Sequence, residues 1–347
     1  MRTYLVTGAT GFIGRRVVHE LSMLGHHVKA VARPNSSLVN LPSHTLDIVR
    51  ADLASDDNWG RAVDNVDVVI HLASVLKMPW RPDFESINVQ GTRRIVQHCL
   101  RARRPPRFIL VSSLSAAGPA MGGPHIETMM PAPISIYGRT KLAVEHVVRT
   151  ASAKLSAAIV RPPMVFGPGD NATLSIFKSI LRGVHVVPRR TDFGLSTIYV
   201  DDLARGLIAV AEAGERLDTT DDPEKRSAGL YYLAMTKPTT YAALGRLIAH
   251  ALGVRDPTTI WVPPPIGRGA AWLNERWARM RGTPAAFNLD KWRESVAGDW
   301  VCSPRKAVAT INWSAAYPLA QRLRHTVEGY RQAGLLMRSG QKRNKIN

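Results

Sequence analysis

Residues 4–14 read Tyr-Leu-Val-Thr-Gly-Ala-Thr-Gly-Phe-Ile-Gly, an apolar run that passes directly into three glycines, Gly8, Gly11 and Gly14, spaced three apart. Glycine is entropically costly where a strand hands over to a helix, so the turn must need the missing side chains. In that context the first glycine permits a tight turn and the second lets backbone approach a ligand. The third lets the helix pack close to the strand.

The first half of the chain continues this rhythm. Strand candidates are Thr3–Val6, Val28–Val31, Leu46–Val49, Val66–His71, Phe108–Ser112 and Ala157–Arg161, and amphipathic helical patterns cover Phe12–Leu24, Trp59–Val63, Asn88–Ala102 and Tyr137–Ala153. Continuously apolar strands alternating with helices predict an α/β fold with a doubly wound parallel sheet of the Rossmann type. The rhythm breaks at Arg161-Pro162-Pro163 and Gly167-Pro168-Gly169, and a second proline-rich stretch follows at residues 263–265. We therefore expect a dinucleotide domain over 1–165 and a smaller, discontinuous substrate lobe over 166–337. The segment around 195–215 is expected to rejoin the first domain, and the basic stretch 338–347 to be a disordered tail.

With 347 residues the chain has ample length for a core. No apolar stretch is long enough to span a bilayer, and the start shows no signal-peptide pattern. Cys99 and Cys302 have no metal-ligand spacing and read as reduced thiols, so a cytoplasmic protein without a metal is expected. The net charge of +19 admits nucleic acid, an anionic membrane or acidic substrates as partners. Its basic residues are scattered, however, with local clusters at Arg101–Arg104, Arg189-Arg190 and Lys342–Lys345. No nucleic-acid motif interleaves them with aromatics, so a solvated basic surface is expected and nucleic acid is not.

The glycine turn places free N–H groups and a positive helix end where a pyrophosphate would lie. At the end of the second strand, an acidic residue would accept a ribose 2′-OH and a cation would accommodate a 2′-phosphate. Here Val31-Ala32-Arg33-Pro34-Asn35-Ser36-Ser37 offers no carboxylate, so Arg33 points to NADP, with NAD the alternative if Arg33 is an ordinary exposed arginine.

Tyr137 and Lys141 lie one helical turn apart on one face. A neighbouring ammonium is expected to lower the phenol's pKa, allowing proton exchange with a substrate oxygen while a cofactor carries hydride. Ser112-Ser113 end a strand at the ligand-binding edge of the sheet, and Asn88 opens a helical run from which it could polarise the proton path. Taken singly, Ser113 reads better as a cap or turn serine and Asn88 as a plain N-cap; taken jointly with the glycine turn upstream, catalysis is the better reading.

Together, Thr7–Gly14, Ala51-Asp52-Leu53, His71–Ser74, Asn88–Thr92, Val111–Ser113, Tyr137 with Lys141, Arg161–Gly169 and Tyr199–Asp202 occur in an order that resembles an extended short-chain dehydrogenase/reductase of the NAD-dependent epimerase/dehydratase superfamily. The resemblance implies that Ser113, Tyr137 and Lys141 are catalytic and that Lys141 also holds the nicotinamide ribose. It implies that Thr10, Phe12 and Ile13 join the three glycines at the cofactor. Asp52 and Leu53 would meet adenine, Leu72, Ala73 and Ser74 would line the trough, and Pro162 to Val165 would back the nicotinamide. His71 is expected to be structural, and Asp201 and Asp202 to cap a helix.

The run Ser112–Pro119 resembles the 3β-hydroxysteroid dehydrogenase and dihydroflavonol reductase branch. Sugar-nucleotide relatives usually carry a diphosphate-binding arginine where this chain has Leu195, although Arg189 or Arg190 could substitute. No carboxylate pair follows Ser113, which disfavours dehydration. The expectation is thus reversible alcohol–ketone oxidoreduction on a largely apolar small molecule, with a nucleotide-sugar epimerase or a non-catalytic NADP-binding sensor as rivals. Family analogy adds a homodimer. Among the C-terminal tryptophans Trp261, Trp272, Trp277, Trp292, Trp300 and Trp313, core packing is the simpler reading of each. The run Gly269–Met280 leaves a peripheral membrane contact as the alternative.

Overall fold

The computed structural model describes residues 1–39, 41, 46–75, 84–188, 191–219, 226–283 and 287–336. Arg189, Arg190 and the basic tail lie outside the described residues. The first half lays down β1 (Thr3–Thr7), α1 (Phe12–Met23), β2 (His27–Ala32), β3 (Leu46–Arg50), α2 (Trp59–Val63), β4 (Val68–His71), α3 (Phe84–Arg101), β5 (Arg107–Val111), α4 (Ile136–Ala151) and β6 (Ala157–Val160). Then follow β7 (Met164–Phe166), α5 (Asn171–Leu181), β8 (Val184–Val187), β9 (Gly194–Leu195), β10 (Thr197–Tyr199), α6 (Val200–Ala213) and β11 (Leu230–Tyr231). The last part contains β12 (Thr239–Thr240), α7 (Tyr241–Leu252), β13 (Thr258–Trp261), α8 (Pro264–Met280), α9 (Leu289–Val296), α10 (Arg305–Ile311) and α11 (Leu319–Gln332).

Seven strands form one sheet in the order β11-β6-β5-β4-β1-β2-β3, and all of its pairings are parallel. This is the expected doubly wound arrangement, and its order reverses between β1 and β4, where such sheets bind ligands. Alternate residues of β1 serve opposite faces. Tyr4 and Val6 pack with Val17 and Leu21 of α1 and Leu203 and Leu207 of α6, whereas Leu5 packs with Ile95 of α3 and Val144 of α4. The seventh strand, β11, is too short and too remote in sequence to show as a pattern. The segment after Leu195 contributes β10, which pairs with β7 in a separate two-stranded sheet outside the main one.

Asp201 and Asp202 differ from the capping role expected of them. The N-cap of α6 is Tyr199, without a side-chain cap, and Asp202 is fully buried against Arg322 of α11. Arg322 donates from Nε at 2.9 Å and from Nη2 at 2.6 Å, tying the late helix to the main domain. Asp201 pairs instead with Arg16 of α1 at 3.3 Å. Cys99 and Cys302 are buried free thiols, pushed up to about 12 by burial.

The tryptophans divide. Trp292 and Trp313 are buried, as core packing requires, but Trp272 and Trp277 are 48% and 58% exposed. Core packing is therefore the wrong reading for those two, because α8 seats itself through its small residues and turns its large ones outward. It is also the wrong reading for Trp261 at the end of β13, which is 39% exposed.

Candidate active site

The glycine turn is built as its spacing demands. Gly8 has φ +68°, and a Cβ on Gly14 would lie 2.1 Å from the Gly8 carbonyl oxygen and 2.8 Å from Ala9 Cα. No side chain caps α1, and its first turn holds no acidic residue, so the helix start can receive an anion. Gly14→Ala is expected to destabilise the fold by about 1–3 kcal/mol through overpacking against rigid backbone. It should also weaken dinucleotide binding, and denaturant unfolding with fluorescence titration would check both effects.

Beside this turn lies a cavity of about 620 Å³, lined among others by Thr10, Arg15, Arg33, Ser36, Ser37 and Asp52. Arg50 Nη1 donates to the carbonyls of Arg33 at 2.8 Å and Ser36 at 3.1 Å, which holds the Arg33–Ser36 loop in shape. Two guanidinium groups and two hydroxyls, with the Asp52 carboxylate on the same wall, surround an uncapped helix start and suit the phosphates of a dinucleotide. Arg15 was not among the residues singled out from sequence. Its signal is its position directly after Gly14, in the first turn of the phosphate-facing helix.

Of the expected cofactor residues, Thr10, Arg33 and Asp52 line this cavity, and the others take the following places. Thr7 Oγ1 accepts from the N–H groups of Leu72 and Ala73 at 3.1 Å each, and a Cβ on Gly8 would lie 3.0 Å from Ala73 N. Ile13, Leu72 and Val165 are partly buried against the same core cluster, while Phe12 opens α1 and Ser74 remains partly exposed. Leu53 is buried where a Cβ on Gly91 of α3 would lie 2.8 Å away, so it packs as core. The Pro162 carbonyl accepts from Leu114 N–H at 2.9 Å, immediately behind Ser113.

His71 is a strand-end anchor, with Nδ1 2.8 Å from Thr7 Oγ1 and Nε2 3.0 Å from Thr92 Oγ1. Burial, aided by the Lys141 charge, pushes it down to about 3, so it is neutral. Asn88 has a different task from the one its position suggests. It sits inside α3, which begins at Phe84, and so does not cap it. Its amide accepts from Val75 N–H at 2.7 Å and donates to the Val75 carbonyl at 3.0 Å, which occupies both polar ends in holding the loop after β4.

Ser113, Tyr137 and Lys141 meet at the end of β5. Ser135 Oγ caps α4 by accepting from Gly138 N–H at 2.8 Å, and a Cβ on Gly138 would lie 2.3 Å from the Ser115 carbonyl. The Tyr137 helix start is therefore pressed against the turn that carries Ser113. Lys141 Nζ donates to the Val111 carbonyl at 3.2 Å and lies 5.9 Å from the Tyr137 ring centroid. The expected lowering of the phenol's pKa is not what prevails. Burial pushes Tyr137 up to about 12, the Ser113 hydrogen bond acts against it and the Glu294 carboxylate adds to it. Burial pulls Lys141 down to about 8, although Glu145 favours its charged form.

Two further sets of residues support this centre. Arg161 donates to both oxygens of Glu145, at 2.8 and 2.6 Å, and Ser112 Oγ donates to Glu145 at 2.5 Å. Burial would raise the Glu145 carboxyl, but Arg161 and Ser112 hold it below the usual carboxylate range. From the far lobe, α9 reaches the same helix. Asp290 accepts from the N–H groups of Ile136 and Tyr137 at 2.8 and 3.3 Å, and Ser135 Oγ donates to Glu294 at 2.6 Å. Lys291 Nζ lies 5.5 Å from the Tyr137 ring centroid. No local pattern announces these contacts, because they join segments about 150 residues apart.

Fold and site together define an enzyme of the extended short-chain dehydrogenase/reductase type. The chain belongs to the NAD dependent epimerase/dehydratase family, which matches residues 4–222. It is 30% identical over 331 residues to the ceramide reductase of Caulobacter vibrioides, covering 95% of each chain. It is 27% identical over 307 residues to a 3 beta-hydroxysteroid dehydrogenase/Delta 5-->4-isomerase of Mycobacterium tuberculosis, covering 81% of this chain and 77% of that one. Among solved structures, MoeE5 in complex with UDP-glucose and NAD is similar at TM-score 0.71 and 26% identity, over 95% of this chain and 99% of that one. The structure of gox2253 has the same fold, at TM-score 0.76 and 24% identity, over 97% of this chain and all of the other. Among the described residues, no helix is long and apolar enough to cross a membrane.

Proposed function

We propose that this protein is an NADPH-dependent reductase of a carbonyl on a largely apolar molecule, reversible as an alcohol dehydrogenase. The observation that carries this reading is a half-buried, neutral Tyr137 phenol, opposed in its upward shift by Ser113 and with the Lys141 ammonium 5.9 Å from its ring centroid. When bound, the dinucleotide supplies the hydride. Ser113 hydrogen-bonds the carbonyl oxygen and orients it, and Tyr137 delivers a proton to that oxygen as charge develops on it. Lys141, fixed by the Val111 carbonyl, steadies the phenolate left behind. Asn88 is a positioning residue that shapes the trough.

Support for an apolar substrate comes from Leu195, where sugar-nucleotide relatives usually place an arginine. It is buried in an apolar cluster with Phe166, Tyr199 and Met235, which gives a diphosphate no charge-assisted partner. The names of two relatives, a ceramide reductase and a hydroxysteroid dehydrogenase, point to apolar substrates as well. The test is to supply NADPH with a panel of long-chain and polycyclic ketones and, separately, UDP-glucose. Net NADPH oxidation with an apolar ketone is the expected result. Interconversion of the UDP-sugar without net cofactor turnover would replace this reading with an epimerase, and nucleotide binding without turnover of any compound would replace it with a sensor.

Two predictions accompany the reading. Arg33→Ser is expected to weaken NADPH binding by roughly ten- to a hundredfold, the value of a charge-assisted hydrogen bond, while leaving NADH binding little changed. Fluorescence titration with the two cofactors would reveal the difference. The second concerns pH. Lys141 is charged below about 8 and neutral above it, whereas Tyr137 keeps its proton to about 12. Loss of the ammonium removes what steadies the phenolate, so kcat/KM for reduction should fall as pH rises through about 8. A profile flat to the ordinary lysine value of 10.5 would contradict this.

A further inference from the structure

Helix α8 is built the wrong way round for a helix of a soluble domain. Its 17 residues begin with Pro264-Pro265, which suit a helix start, and extend about 25 Å. The residues it buries are Gly267 and Ala271, and a Cβ on Gly267 would lie 2.0 Å from the Trp292 ring of α9. Its large apolar residues face outward instead. Ile266, Leu273, Trp277 and Met280 are 65%, 62%, 58% and 78% exposed. With Ala270 they follow a 4-3-4-3 spacing, one continuous stripe along a single helix face. Soluble domains rarely leave such a stripe open.

Away from the stripe the helix is basic, with Arg276 and the C-cap Arg281 bordering the apolar face and Arg268 and Arg279 on the opposite side. Arg268, Arg276, Arg279 and Arg281 stand against a single acidic residue, Glu275. Arg276 lies over the Trp272 ring at 5.5 Å from its centroid, and Arg281 over the Trp277 ring at 4.0 Å. These pairs hold guanidinium groups at the border of the apolar face, where lipid headgroups would meet them. We propose that α8 is an interfacial docking helix that lays this protein on an anionic phospholipid surface. Its length and arginines suit lying in the headgroup plane, with the apolar stripe at the acyl boundary. The net charge of +19 adds long-range attraction to such a surface. A second copy of this chain is a poorer occupant, because pairing two such faces would bring the arginine flanks of each against the other. The neighbouring helix α9 carries Asp290, which bonds the Tyr137 N–H, so the docking face lies one helix from the Tyr137 backbone. The proposal rests on α8 alone and stands or falls independently of the reaction assigned above.

The test is flotation of the full chain with phosphatidylcholine vesicles, with and without phosphatidylglycerol. Expected are binding to the anionic vesicles, a blue shift of tryptophan emission and weakening by salt. The double substitution Leu273→Glu with Trp277→Glu removes two apolar side chains and should weaken binding by about a hundredfold. Both positions are exposed, so an unchanged unfolding transition would show the fold intact, and a milder Trp277→Ala variant gives the same direction of effect if the double variant misfolds. Binding that survives these substitutions would overturn the proposal, since a diffuse basic surface would then be responsible. Absence of binding to anionic vesicles would overturn it as well. So would a dimer that the double substitution splits without any vesicle binding, which would assign the face to a second copy.

Discussion

Tyr137→Phe is expected to lower NADPH-dependent carbonyl reduction by roughly 10²–10⁴-fold, the contribution typical of a positioned general acid. The substitution removes one oxygen and keeps the ring between Lys141 and Lys291, which lie 5.9 and 5.5 Å from its centroid. Cofactor affinity and the unfolding midpoint should therefore change little, and the loss should appear in kcat. Ser113→Ala tests the same arrangement from the other side, since it removes the hydrogen bond that opposes the upward push of burial on the phenol. Initial rates with a responsive ketone would measure both variants. If Tyr137→Phe kept more than about a tenth of the activity, a general-acid role for the phenol would be untenable.

Glu145→Gln should cost about 3–5 kcal/mol of stability, because it strands a buried guanidinium. Glu145 and Arg161 are 0% and 2% exposed and form a two-point pair, completed by Ser112 and by Tyr232, whose hydroxyl accepts from Arg161 Nη1 at 3.0 Å. Water cannot reach the guanidinium left behind, so its desolvation is uncompensated. A sign follows for pH. The Glu145 carboxyl is held below its unfolded value of 4.5, so the stability it contributes is present above that value and is lost as pH falls through its lower folded value. The wild type should therefore lose more stability on acidification than the variant. Urea unfolding at neutral and acid pH would measure both effects, and equal midpoints for the two proteins at neutral pH would refute this account.

What could be read before folding is uneven, and the reason is range. The three glycines, the ends of the first six strands and the Tyr137–Lys141 spacing are local facts, each set by backbone geometry within a few residues. Whether a Cβ fits at Gly14 depends on an oxygen six residues away, so the sequence itself reveals the turn. Local spacing also misled where electrostatics depends on burial. The same spacing suggests a phenol lowered by its lysine, but the pKa depends on how much water the fold removes, and burial prevails. Asn88 looked like a cap because the turn preceding it in α3 carries no local signal.

The sequence by itself determined the strand–turn–helix entry, the parallel alternation, the basic character of the second strand's end and the pairing of a tyrosine with a lysine. All of these are encoded within one or two turns of chain. Only the tertiary structure decided that Asp202 meets Arg322, that Asp290 accepts from the first N–H groups of the Tyr137 helix and that Trp272 and Trp277 face outward. Those outcomes depend on which surfaces distant segments bring together. No periodicity records that a glycine on α8 would be pressed against a tryptophan of α9, or that the rest of its apolar face would be left uncovered.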